Sequence, residues 1–547
     1  MVPHWRIELT RTIVALFLIL AALCLQRAGA QAVDADSGKG CQSLASADFT
    51  GVQDAPAFIT SASLVYAQGN VPSYCKVQGY VVPQVGFEVR VPSGNWNSRF
   101  IEIGCGGFCG YYNGDQCNQQ LRNGFACVVT DMGHKGTMDD TLWAMNNLQA
   151  QMDFGFRATH VGAVIGKAIV ERFYGKSPQK TYYVGCSTGG YQGVMEAQRY
   201  PWDFDGIVAG APDIHEGLAN VRALWTSRTA LDADGKPRLS SATLHLVHDA
   251  ALEKCDMADG LKDGILGNPL GCKFDPGDLV CKGGNTKGCI TQTDAEIVHK
   301  LYAGAMTSKG EPITSEGFWP GSELYWQEIS SPWSEEQFFK YAWAGYTTGS
   351  GWKYTDFNFD DDYKRLGVAP QYDNSNPDLR NFKRAGGKIL IYEGGDDTID
   401  LPGAVTDYYE AVEREMGGRS ATQSFARLFV IPGMEHCVGG PGATTIDYFA
   451  YLQDWVEKGQ APEKLIGSHV SDEYLISHHP GLDFSKDRDV KLWQASWGLP
   501  EPLDPAIPVS FKRPVYPYPT LTRYLGHGDP NDASSFGPVE PKSDEPK

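Results

Sequence analysis

The stretch that decides the fold is an apolar run, residues 180–185, leading into Gly185-Cys186-Ser187-Thr188-Gly189. Residues 190–199 after it have the composition of a helix. A Gly-x-Ser-x-Gly turn between a strand and a helix exposes its serine, and the glycines let neighbouring backbone approach closely. The pattern predicts Ser187 as a nucleophile on such a turn.

Strand and helix patterns alternate on both sides of this turn. Strands are predicted at residues 87–91, 99–103, 125–130, 180–185 and 204–210, and helices at 157–174 and 190–199. Strand character returns at 388–392 and 427–431, before a predicted helix at 446–458. Such alternation indicates an α/β fold with a parallel sheet between helices.

The alternation stops near residue 213. Residues 214–377 carry four closely spaced cysteines and many Asp and Gly residues. We therefore expect a catalytic domain in two pieces, 31–213 and 378–547, interrupted by an inserted domain, 214–377. The tail is rich in Pro and charge, and we expect its last dozen residues to be disordered.

The N-terminus is typical of a signal peptide. Arg6 and Arg11 come before an apolar run, residues 13–25, and Ala28-Gly29-Ala30 resembles a cleavage site. The run is too short to span a membrane comfortably. We expect residues 1–30 to be removed and the mature chain to be secreted or periplasmic, without a membrane anchor.

Charge and cysteine content exclude two classes of protein. The formal net charge is −19, and no basic stripe offsets it, which argues against a nucleic-acid partner. Of the 13 cysteines, Cys24 would leave with the signal peptide. An even number in an exported chain favours disulfides, and the absence of paired C-x-x-C spacings argues against zinc.

A serine nucleophile needs a base, and the base needs an acid to orient it. His436 follows the last predicted strand of the sheet, where the base belongs. Asp397 follows the strand before it and is the predicted acid, with Asp396 and Asp400 as rivals. A solvated acidic turn is the alternative interpretation of all three. The order Ser, Asp, His is that of α/β-hydrolases.

The oxyanion of an acyl-transfer intermediate needs backbone N–H donors. One predicted donor is the amide of Thr188, directly after the nucleophile. The second is expected in the glycine-rich turn of residues 104–110, at Gly106 or Gly107.

Taken together, Cys186-Ser187, Asp397 and His436-Cys437 resemble the tannase and feruloyl esterase family, which also contains a bacterial terephthalate monoester hydrolase. The resemblance extends from Cys41 to the end of the Pro-rich segment at residue 519. It implies an α/β-hydrolase fold with a large lid inserted between the nucleophile strand and the acid strand. It also implies a disulfide between Cys186 and Cys437.

The resemblance assigns a calcium site to the loop after Cys255. The implied ligands are the side chains of Asp256, Asp259 and Asp263 and the carbonyls of Leu261 and Ile265. Closely spaced carboxylates in a Gly-containing loop suit a hard cation with oxygen ligands. A solvated acidic loop is the alternative when the residues are considered alone.

The resemblance further implies the pairs Cys255–Cys272 and Cys281–Cys289 within the lid. It leaves the pairing of six cysteines open: 41, 75, 105, 109, 117 and 127. This sequence departs from many relatives in having Glu393 before the acid turn. Tyr516 and Gly537 stand where fungal members often carry two cysteines.

The resemblance implies a serine carboxylesterase acting on small esters of aromatic acids. Feruloyl or other hydroxycinnamoyl esters, galloyl esters and terephthalate monoesters are the candidate substrates. A non-catalytic, calcium-stabilised binding protein on the same fold is the alternative, and a serine peptidase is a third possibility. The oligomeric state stays open.

Overall fold

The computed structural model describes residues 38–284, 287–315, 317–330, 332, 336, 338–342, 351–364, 370–479, 481–482, 488–496 and 502–541. The predicted signal peptide, residues 1–30, lies outside the described residues. Within them, no helix combines the length and the apolar character needed to cross a membrane.

The strands are numbered in chain order. They are β1 Ala57–Val65, β2 Tyr74–Val81, β3 Val85–Pro92, β4 Arg99–Ile103, β5 Ala126–Thr130, β6 Lys180–Cys186, β7 Gly206–Gly210, β8 Lys388–Gly394, β9 Ala426–Ile431, β10 Leu465–Val470, β11 Val509–Val515, β12 Leu521–Tyr524 and β13 Phe536–Val539. All the strands predicted from the sequence are present.

The α-helices are numbered in the same way. They are α1 Asn118–Arg122, α2 Leu148–Met152, α3 Ala158–Tyr174, α4 Thr188–Arg199, α5 Glu216–Ala230, α6 Ser241–Cys255, α7 Gln292–Ala303, α8 Arg380–Ala385, α9 Pro402–Met416, α10 Arg419–Gln423, α11 Tyr448–Lys458, α12 Asp472–His478 and α13 Arg488–Ser496. The predicted helices at 157–174, 190–199 and 446–458 correspond to α3, α4 and α11.

The chain forms two compact units. The first comprises the described residues up to Ile101, Asn113–Val129 and Val161–Lys180. In it, β1, β2 and β3 pair antiparallel, and every residue of β3 is buried. Cys41–Cys75 and Cys117–Cys127 are disulfide-bonded there, which resolves four of the six cysteines whose pairing the sequence leaves open.

The second unit comprises Glu102–Tyr112, Thr130–His160 and the described residues from Thr181 onward. In it, β6, β7, β8 and β9 pair parallel in that order. All residues of β7 are buried, as expected for a parallel strand covered by helices on both faces. This unit contains every predicted catalytic and calcium-binding residue.

Between β7 and β8, the described residues form helices and short 3₁₀ or π turns without a named strand. Helices α5, α6 and α7 enclose an apolar cluster that includes Val247, Val298 and Trp326. The disulfides Cys255–Cys272 and Cys281–Cys289 lie in this region. The chain therefore changes architecture where the inserted domain is predicted, while the boundaries 214 and 377 stay a prediction.

The expectation of a disordered C-terminal dozen is wrong for its first part. Strand β13 pairs antiparallel with β12, placing Gly537 opposite Arg523. The ring of Phe536 is buried, 5.5 Å from the Tyr524 ring and below the Arg513 guanidinium. Strand pairing and the packing of Phe536 together hold this segment, although its average composition is polar. Residues 542–547 lie outside the described residues.

Candidate active site

Ser187 occupies a sharp turn between β6 and α4, and we define residues 186–188 as the nucleophile turn after its candidate role. Its backbone has φ 62° and ψ −127°, a conformation that costs a non-glycine residue roughly 1–3 kcal/mol. The Ser187 amide donates to the Gly210 carbonyl at 3.0 Å, and its side chain makes no capping bond to α4. Gly190 is required here, because a Cβ on it would lie 2.1 Å from the Gly210 oxygen. The turn thus leaves the Ser187 hydroxyl outside the helix's own hydrogen bonding.

The imidazole of His436 meets the carboxylate of Asp397. Nδ1 of His436 lies 2.8 Å from Oδ2 of Asp397, and both side chains are buried. The other oxygen, Oδ1, accepts hydrogen bonds from the amides of Ile399 and Asp400, at 2.8 and 2.9 Å. These bonds fix the carboxylate, which in turn fixes the ring orientation.

The two other predicted acids have different neighbours. Asp396 is buried, and its Oδ1 lies near Gly321. Asp400 faces the opposite edge of the imidazole, with Oδ2 3.9 Å from Nε2 of His436. Asp397 is therefore the acidic residue at Nδ1 in the acid turn, which we define as residues 394–400.

Close backbone contact brings together the acid turn and the histidine loop, which we define as residues 434–437. A Cβ on Gly394 would lie 2.4 Å from the Met434 carbonyl and 2.6 Å from that of Glu435. The amide of Asp396 donates to the Met434 carbonyl at 2.9 Å. Gly394, directly after Glu393, supplies the space for this contact.

A disulfide joins Cys186 to Cys437, with the two Cα atoms 6.0 Å apart. The bond connects the residue before the candidate nucleophile to the residue after the candidate base. Cys437 itself has a positive φ of 66°. The bond therefore restrains the separation of the nucleophile turn and the histidine loop directly.

Carboxylates dominate the electrostatics around His436. Burial alone would lower its pKa, but the carboxylates of Asp397, Asp400 and Glu435 outweigh burial and raise the pKa to about 9. Glu435 accepts from the amide and hydroxyl of Thr398 and from the amide of His436. Burial, followed by the repulsion of Asp397, raises the pKa of Glu435 to about 7.

Asp400 is the second acidic group that bears on the base. Burial raises its pKa to about 8, and the Asp213 carboxylate adds to the shift while His436 and Arg222 oppose it. Arg222 lies 3.6 Å from Oδ1 of Asp400 and also donates to the Ile399 carbonyl. Burial likewise raises the pKa of Asp396 to about 8.

The candidate oxyanion turn, the glycine-rich residues 104–110, is closed by the disulfide Cys105–Cys109, the third pair left open by the sequence. The Thr188 hydroxyl donates to the Gly107 carbonyl at 2.6 Å, which fixes this turn against the start of α4. Gly107 has φ 57° and packs against Met138, so glycine is required there. The Gly106 carbonyl accepts from the Cys109 amide at 3.2 Å.

A cavity of about 330 Å³ opens beside Ser187. Gly107, Thr188 and Asp400 line it together with Ser187, so the cavity adjoins the nucleophile turn, the oxyanion turn and the acid turn. Phe108 and Tyr325 contribute aromatic surface to its wall.

Sequence reasoning missed three residues that shape this site. His134 holds the oxyanion turn, with Nε2 2.7 Å from the Phe108 carbonyl, and its ring stacks on Trp143 at 3.8 Å. Burial lowers the pKa of His134 to about 4. Arg222 lies 175 positions before Asp397 in the sequence, and no motif marks it. Glu435 directly precedes His436, and that adjacency was the available signal.

The Asp256 loop, residues 256–265, gathers three carboxylates. Asp256 accepts from the amides of Asp263 and Gly264, at 3.2 and 3.0 Å. Burial raises the pKa of Asp259 to about 7, and the carboxylates of Asp263 and Asp256 add to the shift. Oδ2 of Asp263 accepts from Arg513 at 2.8 Å.

The geometry of the Asp256 loop bears on the expected calcium ion. No group of three or more His, Cys, Asp or Glu side chains is arranged around a metal position among the described residues. Oδ1 of Asp263 is nevertheless buried and makes no hydrogen bond to any described residue. Crowded carboxylates with an unsatisfied buried oxygen fit an oxygen-coordinated cation chemically.

Comparison with known proteins identifies the family. The model of the family described as tannase and feruloyl esterase matches residues 69–539. The chain belongs to this family.

Two relatives of this tannase and feruloyl esterase family member illustrate its range. The mono(2-hydroxyethyl) terephthalate hydrolase of Piscinibacter sakaiensis is 30% identical, over 89% of this chain and 87% of that protein. A probable feruloyl esterase B-1 of Aspergillus terreus is 32% identical, over 71% of this chain and 77% of that protein.

Solved structures of the family agree in fold. Feruloyl esterase B from Aspergillus oryzae has a TM-score of 0.77 and 25% identity, covering 92% of this chain and 100% of that chain. Tannin acyl hydrolase from Aspergillus niger has a TM-score of 0.70 and 18% identity, covering 92% and 95%, and supports the fold alone. The predicted α/β-hydrolase fold is confirmed. The chain is a carboxylic ester hydrolase of the feruloyl esterase and tannase type.

Proposed function

We propose that this esterase hydrolyses esters of aromatic acids through a covalent acyl-enzyme on Ser187, with His436 as base and Asp397 as its orienting acid. The observation that carries the proposal is the 2.8 Å contact between Nδ1 of His436 and Asp397. The Cys186–Cys437 disulfide supports it, because it connects the residues that flank the nucleophile and the base.

Acylation follows from these roles. The Ser187 oxygen attacks the ester carbonyl carbon while Nε2 of His436 takes the hydroxyl proton. Asp397 accepts a hydrogen bond from Nδ1–H and stabilises the imidazolium. The tetrahedral intermediate then collapses, the carbon–oxygen bond to the alcohol breaks, and His436 returns the proton to the departing alcohol oxygen.

The oxyanion binds to two backbone amides in this scheme. Thr188 supplies one, since the first amides of a helix have no partner within the helix. Gly107 is favoured over Gly106 as the second donor, because Gly107 lines the cavity beside Ser187. The bond from the Thr188 hydroxyl to the Gly107 carbonyl holds the two segments in register.

Deacylation repeats the same proton transfers with water as the nucleophile. His436 takes a proton from water, the hydroxide oxygen attacks the acyl carbon, and the Ser187 oxygen leaves with the proton returned by His436. The products are the free aromatic acid and the regenerated serine.

The proposed acyl groups are feruloyl or other hydroxycinnamoyl, galloyl and terephthaloyl. The names of relatives, feruloyl esterase and mono(2-hydroxyethyl) terephthalate hydrolase, support this class. Phe108 and Tyr325 on the cavity wall supply rings against which a planar acyl group packs.

Two further parts of the proposal concern the mature protein. A structural calcium ion in the Asp256 loop would be held by Asp256, Asp259 and Asp263 and by the carbonyls of Leu261 and Ile265. Calcium would cross-link the loop and would take no part in the chemistry.

Export after removal of residues 1–30 is supported by six disulfides in the described chain.

The test is Ser187→Ala, assayed on methyl ferulate, methyl gallate and mono(2-hydroxyethyl) terephthalate. We expect kcat/KM to fall by about 10⁴-fold or more on whichever ester the wild type hydrolyses. A fluorophosphonate probe should label the wild type and not the variant. The exposed Ser46→Ala is the control and should match the wild type. Full activity in Ser187→Ala would refute the assignment.

A further inference from the structure

The cavity beside Ser187 has an unusually acidic wall. Its described lining residues include the carboxyl groups of Asp213, Glu216, Glu328, Asp400 and Glu435. Four of these belong to the deeper part of the site, whereas Glu328 is exposed. A ligand that enters this cavity therefore meets carboxyl groups on several sides.

One basic side chain, Arg222, lies among the described lining residues, and it already has partners. It donates to the Ile399 carbonyl and lies 3.6 Å from the Asp400 carboxylate. Arg222 is also mostly buried, so its guanidinium is held in this position. The Asp400 carboxylate therefore offsets part of the Arg222 charge that an anionic substrate group would meet.

Asp213 and Glu216 form the second acidic part of the wall. Their side chains hydrogen-bond to each other, and burial, followed by the Glu216 charge, raises the pKa of Asp213 well above its usual value. Oδ1 of Asp213 is buried and makes no hydrogen bond among the described residues. Asn220 donates its side-chain amide to Glu216 at 3.0 Å, which holds Glu216 in place.

Cationic, neutral and anionic ligand groups interact differently with this wall. A cationic group would stabilise the ionised carboxyl groups, and a neutral hydroxyl or amide can hydrogen-bond to them in either protonation state. A second carboxylate would repel those carboxyl groups that are ionised at the pH of the assay, and this repulsion costs binding free energy. The net charge of −19 acts in the same direction at longer range.

We propose that the acidic cavity wall selects substrates by charge: the enzyme prefers neutral or cationic aromatic esters and discriminates against esters that carry a second free carboxylate. This inference rests on the proposed esterase function of the Ser187 site. It places terephthalate monoesters last among the three candidate substrate classes, despite the similarity to the hydrolase of Piscinibacter sakaiensis.

Three para-substituted methyl benzoates test the proposal at pH 7.5. They are methyl 4-carbamoylbenzoate, monomethyl terephthalate and methyl 4-(aminomethyl)benzoate, which are neutral, anionic and cationic but similar in size. Each kcat/KM is divided by the rate constant for hydroxide hydrolysis, so that intrinsic reactivity cancels. We expect the anionic ester to be at least about tenfold worse than the neutral one.

Variants then connect the preference to the wall. Asp213→Asn combined with Glu216→Gln should reduce the ratio of neutral to anionic kcat/KM several-fold, and the exposed Glu253→Gln should leave the ratio unchanged. The wild-type comparison decides the proposal even if the double variant does not fold. Equal turnover of the neutral and anionic esters would overturn it.

Failure of this inference is separable from failure of the proposed function. If the neutral ester is hydrolysed and Ser187→Ala abolishes that activity, the function stands whichever charge order is found. If Ser187→Ala retains full activity, the proposed function fails before the charge order is considered. A weaker preference at 0.5 M NaCl than at 0.05 M would further support a charge effect, because salt screens exposed charges.

Discussion

The acid turn and the Asp256 loop both crowd carboxylates beside a disulfide, yet the carboxylate oxygens have different partners in the two regions. In the acid turn, one oxygen of Asp397 contacts Nδ1 of His436, and the other accepts hydrogen bonds from two backbone amides. In the Asp256 loop, one oxygen of Asp263 accepts a hydrogen bond from Arg513, and the other has no hydrogen-bond donor among the described residues.

The difference shows what a cluster of aspartates requires. Where protein donors satisfy every oxygen, the carboxylate is a fixed electrostatic element that can orient a base. Where a buried oxygen is left over, the loop has unused capacity for an external cation. Counting Asp residues in the sequence does not separate these two situations, because the partners come from distant parts of the chain.

Asp397→Asn tests the role of the acid turn most directly. The neutral amide cannot replace the carboxylate at Nδ1. His436 therefore adopts the wrong tautomer, and its imidazolium form is no longer stabilised by a negative charge. We expect kcat to fall about 10⁴-fold while the protein stays folded, measured by steady-state kinetics and circular dichroism.

Asp396→Asn is the matched control for that variant. Because the pKa of Asp396 is raised to about 8, its side chain is mostly neutral at pH 7, and Asn resembles it closely. We expect at most about a tenfold loss. If Asp396→Asn were the more damaging change, Asp397 would not be the orienting acid.

The sequence predicted much of this site for a physical reason. Ser187, Asp397 and His436 each follow a strand of one parallel sheet, and the ends of such strands meet at one edge. The order of elements therefore places them near each other before any coordinate is known. The strand-to-helix context of Ser187 and the cysteine neighbours strengthened this prediction.

Other features of the site and the fold could not be predicted, because they depend on tertiary contacts that leave no local sequence pattern. Arg222 lies on α5 and reaches Asp400 across a long stretch of sequence. The role of Phe536 in ordering the tail required its contact with Tyr524 and Arg513. The pairings of Cys41, Cys105 and Cys117 were open because cysteine spacing alone does not determine connectivity.

The second prediction concerns the Asp256 loop and has a smaller expected effect. Dialysis against EGTA should lower the melting temperature by roughly 5 °C, because a saturating ligand stabilises a folded protein by about 2–3 kcal/mol. Added calcium should restore it, as measured by differential scanning fluorimetry. Asp259→Asn should remove the response, whereas Glu253→Gln, on the exposed face of α6, should keep it. An EGTA-insensitive wild type would identify a solvated acidic loop instead.

The third prediction concerns the opposite edge of the histidine, where Asp400 lies 3.9 Å from Nε2. His436 acts as a base only when neutral, so kcat/KM should rise as pH increases through its pKa, which is raised to about 9. Removing the Asp400 charge in Asp400→Asn leaves less stabilisation of the imidazolium. The rising limb of the pH profile should therefore move to lower pH, by about one unit.

The controls for this variant follow from its neighbours. Asp397, Glu435 and Asp213 also act on His436 or Asp400, so the limb should not return fully to the ordinary histidine range. The exposed Asp234→Asn should leave the profile unchanged. A limb that stays in place or moves to higher pH in Asp400→Asn would show that Asp400 does not hold the pKa of His436 up. Asp397 would then be the one carboxylate of the acid turn that acts on His436.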